Sequence, residues 1–194
     1  MEKRKRSDAK QNRDRILSVA LGELVRSADV PLSVIAKKAG VGQATFYRHF
    51  PTRESLVIEV YRHEMLQVTE FAKQLLKTLP PDQALRAWMN RLAEYAMTKT
   101  GLAGALRGVA SSKEYMANDG YAPVIAAAQM LLDANDEAGT IRPGITTDKF
   151  FLTIAGIWQI DATEDWQPRL TWLMDTVIQG LCAGAPGKPA GGNP

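Results

Sequence analysis

The chain has 194 residues, 45% of them hydrophobic, and carries 24 Lys plus Arg against 21 Asp plus Glu. That composition supports a sizeable core and argues against disorder over most of the length. Cys182 is the only cysteine, and His49 and His63 are the only histidines. An internal disulfide, a cysteine-based zinc site and a multi-histidine metal site are thereby excluded, and no metal or cofactor is expected.

The net charge of +3 is unevenly placed: residues 1–63 hold 13 basic and 7 acidic side chains, and residues 64–194 hold 11 and 14. A basic end most often meets nucleic acid or an anionic membrane. No run of about 18 apolar residues is present to span a bilayer. Met1 to Arg15 is charged without an apolar stretch behind it, so a secretory signal is not expected, and a cytoplasmic protein is.

Ile16, Leu17, Ala20, Leu21, Leu24 and Val25 recur at helical spacing and predict a first amphipathic helix over about 8–27. Val30-Pro31 interrupts it, and Pro31 suits the first turn of the next helix. Ile35, Ala36 and Ala39 mark that helix, which Gly40 ends. A third runs from about Gln43 to His49, with Phe46 and Phe50 facing inward and Pro51 stopping it. Thr52 is a plausible N-cap for a long helix carrying Leu56, Val60, Tyr61, Met65, Val68, Phe71, Leu75 and Leu76.

Pro80-Pro81 is the clearest break in the chain. Leu85, Trp88, Met89, Leu92 and Ala96 then mark another helix, and residues 101–120 are glycine-broken and do not resolve into one helix or two. Val124 to Leu132 predicts a helix ended by Gly139. Phe150, Phe151, Ile154, Ile157 and Trp158 predict a strongly apolar one, and Leu170 to Leu181 the last. The fold class is therefore all-α. The Gly/Pro/Ala-rich residues 184–194 are expected to form a disordered tail.

Residues 31–50 meet the demands of a helix-turn-helix. Ala36 allows two helix backbones to approach, and Gly40 can take positive φ at the turn at little cost. Gln43, Ala44, Tyr47 and Arg48 are the outward positions of the second helix, small or hydrogen-bonding as base edges in a major groove require. Lys37, Lys38, Arg48, His49 and Arg53 surround it as phosphate partners, and the arm Lys3, Arg4, Lys5, Arg6 and Lys10 extends that field.

The same segment, AKKAGVGQATFYRHFPTRESL, resembles the signature of the TetR family of transcriptional regulators. The chain has Ile35-Ala36, Ala39-Gly40-Val41, Thr45-Phe46-Tyr47, His49-Phe50 and Arg53 at the family's spacing, and the match covers roughly residues 10–60. The resemblance implies an all-α homodimer. Its N-terminal three-helix helix-turn-helix domain would bind a double-stranded, palindromic operator, and its C-terminal helical domain would bind a small effector and dimerise. Carried over by position, Gln43, Ala44, Thr45 and Tyr47 lie at or near bases, and Thr45, Tyr47, His49 and Arg53 approach phosphates. Pro31 stands where the family usually has a capping Ser or Thr, for which Ser33 is a partial substitute. Gly42 stands where Ser is common.

The domains expected are 1–55 for DNA binding, with a basic arm at 1–10, and 56–183 for effector binding and dimerisation. Trp88, Met89, Leu92, Tyr95, Met130 and Trp158 read either as an effector cavity for an apolar or aromatic molecule or as ordinary bundle core. The last two helices are apolar over a wide arc. Phe150, Phe151, Ile154, Trp172, Val177 and Ile178 are therefore assigned to a two-fold interface, burial within one chain being the other reading. The function expected is a sequence-specific regulator, a repressor released by a small molecule. An all-α homodimeric enzyme lacks any visible nucleophile–base pair, Ser111-Ser112-Lys113 having no catalytic context. A sequence-independent architectural protein would need its basic residues spread along the chain.

Overall fold

Helix α1 runs Glu2–Arg26 in a computed structural model that describes residues 2–107 and 121–187, the side chains of 2–10 and 107 excepted. It begins well before its apolar stripe, because Glu, Lys and Arg are good helix formers even without a face to bury. The stripe itself, Ile16, Leu17, Ala20 and Leu24, is buried. Two short helices follow, α2 (Leu32–Lys38) and α3 (Gln43–His49). Pro31 lies one residue outside α2, in extended conformation at its N-cap, and no side chain caps either helix.

The α2–α3 turn is a Schellman motif. Gly40 takes φ +64°, the Gly40 amide donates to Lys37 O at 3.1 Å, and the Val41 amide donates to Ala36 O at 3.2 Å. A residue with a Cβ would be strained at that φ. Helix α4 (Arg53–Thr78) starts on the expected cap: Thr52 Oγ1 accepts from the Ser55 amide at 3.1 Å, and Ser55 Oγ accepts from the Thr52 amide at 3.3 Å. Then come α5 (Pro81–Thr98), α6 (Thr100–Arg107), α7 (Ala122–Glu137), α8 (Thr147–Thr153), a 3₁₀ turn (Ala155–Gln159) and α9 (Gln167–Cys182). No strand is present among the described residues.

Packing divides the chain into two units. The first takes the chain through Glu64 together with α6, and the second takes Met65–Thr98 and the chain from Tyr121. In the first, α1 is the spine. It packs on α2 and on α6. A Cβ added at Gly101 of α6 would lie 2.8 Å from the carbonyl carbon of Val25 and closer still to the carbonyl oxygens of Leu24 and Val25. Only glycine allows that approach.

The second unit is built around α5, which packs on α7, α9 and the 3₁₀ turn. Trp88 is fully buried, and its indole N–H donates to Val68 O at 3.1 Å. Asn135 is a buried polar group with its needs met. Its amide nitrogen donates to Pro81 O and Leu131 O, each at 2.8 Å, and its oxygen accepts from Thr140 Oγ1 at 2.7 Å.

Two expectations change here. The apolar run 150–158 does not form one helix: α8 ends at Thr153 and a 3₁₀ turn follows, with Gly156 as its second residue. Ile154 and Ile157, three apart, serve a 3₁₀ turn as well as an α-helix, and both are buried. The tail expected to be disordered from 184 holds its first residues in place. Ala185 is buried, and the Gly187 amide donates to Gly139 O at 2.8 Å. Residues 188–194, the rest of 101–120 beyond α6, and Ser111-Ser112-Lys113 lie outside the described residues.

Candidate nucleic-acid interface

Helix α3 is seven residues long and is anchored on one side only. Phe46 is completely buried, and Phe50, just past its end, lies 6.0 Å from it ring to ring. Gln43, Ala44, Tyr47 and Arg48 recur at i, i+1, i+4 and i+5, and all four are exposed. Tyr47 keeps 44% of its surface in solvent while its ring stands edge-on to Phe46 at 5.6 Å. That contact orients the ring while leaving much of the residue in solvent. Thr45 and His49 are half-buried at the margins, and Ser33 and Lys37 are exposed on α2. The sequence-predicted surface is thus brought together by two short helices and one turn.

Three of the cations nearby are committed to the fold instead. Lys38 Nζ is 2.7 Å from Glu23 Oε2 on α1, and Arg26 is 2.9 Å from Glu23 Oε1. The hydrogen bond from Lys38, opposed by burial and reinforced by the charges of Lys38 and Arg26, holds the Glu23 carboxyl below its ordinary value. Lys38, expected to meet phosphate, is therefore a partner of α1. Arg53, also expected at phosphate, turns its guanidinium onto backbone: Nη1 donates to Val30 O at 2.6 Å and Nη2 donates to Ala28 O.

Sequence reasoning missed Arg13 and Glu23. Arg13 pairs with Glu59 of α4 and places its guanidinium carbon 5.0 Å over the Phe50 ring. The available signal was register, since Arg13 stands three and four residues before Ile16 and Leu17, on the buried side of α1. His49 feels the same charges. Burial first, then Arg48 and Arg13, push its pKa below the ordinary 6.5.

Comparison with known families matches residues 18–60 to the model for bacterial regulatory proteins of the tetR family. Residues 80–183 match the C-terminal domain of SbtR-like transcriptional regulators. The TetR regulator SCO0520 of Streptomyces coelicolor is 39% identical, with a TM-score of 0.74 over 88% of this chain and 98% of its own. The chain belongs to the TetR family of transcriptional regulators. A TetR regulatory protein of Mycobacterium vanbaalenii is 30% identical, with the same TM-score of 0.74 over 91% and 98% of the two chains. RolR, solved in complex with resorcinol, shares the fold at 17% identity, with a TM-score of 0.61 over 93% and 91%. Comparison with curated proteins gives no match.

In this TetR-family chain the residues assigned to effector and dimer contacts separate by burial. Trp88, Met89 and Leu92 are core, Tyr95 and Met130 are half-buried, and Trp158 is 54% exposed. Trp158 therefore does not join the others inside the bundle. Phe150, Ile154 and Val177 are buried by their own chain. Trp172 is 69% exposed and Leu152 78%, while Phe151 and Ile178 are half-buried. A wide apolar arc on a helix does not say which chain covers it, and three of the six positions assigned by arc are already covered by their own chain. Among the described residues no group of acidic, His or Cys side chains could hold a metal, and no helix is long and apolar enough to cross a membrane.

Proposed function

We propose that this TetR-family regulator is a homodimeric repressor that acts in the cytoplasm and leaves its operator when a small molecule binds. The observation that carries the reading is α3, whose exposed Gln43, Ala44, Tyr47 and Arg48 stand opposite a buried Phe46. A helix pinned on one side and polar on the other is what entry into a major groove requires. Ser33, Lys37, Thr45 and His49 flank it as backbone contacts. The reading domain is assigned to 1–55 with its arm at 1–10 and the effector and dimer domain to 56–183, although the start of α4 through Glu64 and α6 pack with the N-terminal helices.

Two such helices, one per protomer, enter successive major grooves about 34–36 Å apart. The exposed Trp172, with Leu152, Phe151 and Ile178, offers apolar surface for the second copy. The effector is a small, mainly apolar or aromatic molecule bound near Leu92, Tyr95 and Met130, a class into which the resorcinol of RolR falls. Release follows from a difference in effector affinity between the DNA-competent and incompetent states.

Selection of bound duplexes from a random DNA pool tests the reading. An enriched palindrome with half-sites one helical turn apart is the expected outcome. Enrichment of a single half-site would refute the dimer, and no enrichment at all would refute sequence-specific binding.

A further inference from the structure

We infer that Arg53 is a positioning residue for operator reading: it clamps the α1–α2 connection from the first turn of α4 and so sets where α3 lies, without touching phosphate. The inference rests on the DNA-binding reading above and assigns Arg53 a role different from the one its place in the motif implies. Its guanidinium reaches back to two carbonyls, Val30 O through Nη1 and Ala28 O through Nη2. Both belong to the short connection that leads into α2. Val30 is itself buried, so the connection is held from inside by an apolar side chain and from outside by the fork.

The connectivity gives the clamp its effect. Helix α3 is joined to α2 by the Gly40 Schellman turn and to α4 through Pro51 and the Thr52–Ser55 capping box. Both joints are short and hydrogen-bonded, so α3 has little freedom of its own. Its placement is decided by how the start of α4 sits against the start of α2, and Arg53 bonds those two places directly. No side chain caps α2 at Pro31, so beside the buried Val30 the carbonyl fork is a side-chain restraint on that end. A planar guanidinium can bond two carbonyls at once, and an ammonium on a flexible stem cannot hold both in the same geometry. Two of the donors that a phosphate would need are already engaged.

The two roles separate in a salt series. Arg53→Lys, Arg53→Gln and Lys37→Ala are titrated against the duplex that wild type selects from the random pool. A phosphate contact survives in Arg53→Lys, and its loss in Arg53→Gln lowers the slope of log K against log[salt] by about one per site. A clamp predicts the reverse. Arg53→Lys binds about tenfold more weakly, the size of one lost base contact, and Arg53→Gln keeps the wild-type slope while Lys37→Ala lowers it by about one per site. Circular dichroism at the assay temperature establishes that each variant is folded, so weak binding with full signal separates positioning from mere stability.

A measurement on wild type decides the matter even if both variants unfold. In 15N-arginine-labelled protein the Arg53 guanidinium signals should stay in place when the duplex is added, while those of Arg48 move. Wild-type affinity in Arg53→Lys, a reduced slope in Arg53→Gln, or an Arg53 shift matching that of Arg48 would each overturn the inference. Failure of wild type to select any sequence would instead remove the DNA-reading proposal beneath it.

Discussion

Gly101→Ala should destabilise the protein although alanine is the better helix former. In most helices that exchange gains up to about 1 kcal/mol. At Gly101 the new methyl would lie 2.8 Å from the Val25 carbonyl carbon, where ordinary contact begins at 3.4 Å, and closer still to two carbonyl oxygens. The carbonyl carbon alone falls short by about 0.6 Å, and the obstacle is backbone of α1, which no rotamer change can move aside. Overpacking of this kind costs about 1–3 kcal/mol or more, which outweighs the gain in propensity. Gly22, inside α1 with nothing within 4 Å of its Cβ position, supplies the control. Thermal unfolding followed by circular dichroism should show Tm lowered by several degrees in Gly101→Ala and unchanged or raised in Gly22→Ala, at about 2–4 °C per kcal/mol for a chain of this size. Equal or raised Tm in Gly101→Ala would refute the claim that α6 lies backbone to backbone on α1.

Three further outcomes are expected. Tyr47→Ala should weaken operator binding by about 1–3 kcal/mol at fixed salt while leaving Tm within about 1 °C of wild type, as a side chain at the interface but outside the core requires. Asn135→Ala leaves Pro81 O and Thr140 without the buried partner they have now, and chemical denaturation should show a loss of about 2–3 kcal/mol. His49, whose pKa is depressed by burial and by Arg48 and Arg13, takes up a proton less readily folded than unfolded. Its contribution to stability is therefore present above pH 6.5 and falls as pH drops through the folded pKa. A neighbouring phosphate favours the protonated imidazole, so operator affinity should rise as pH is lowered below neutrality. His49→Gln should flatten that rise, and an unaltered pH profile in the variant would place His49 away from the DNA backbone.

Much of the fold is legible in the sequence because its punctuation is chemical. Gly40 and Gly139 end helices at positive φ, Thr52 caps α4, and Pro80-Pro81 separates α4 from α5. The exposed face of α3 follows from two buried phenylalanines and a period of 3.6. What periodicity does not carry is direction and partner. Arg53 and Arg48 are the same residue type a few positions apart, yet one bonds carbonyls and the other faces solvent. Phe150 and Trp172 both read as excess apolar surface, and one is core while the other is exposed. Ile154 and Ile157 fit an α-helix and a 3₁₀ turn equally, so the break after α8 left no mark in the spacing.

The Gly101 contact has a mechanical consequence. Side chains between two helices act as springs, because they can change rotamer and absorb a small shift of either partner. Where α6 meets the last turn of α1 no side chain stands between the backbones. A displacement of α6 toward α1 meets carbonyl groups held by a helix, and the joint is stiff in compression. A push of α6 toward α1 would therefore bear directly on the carbonyls at the end of α1. The connection that follows that end of α1 is the one Arg53 grips.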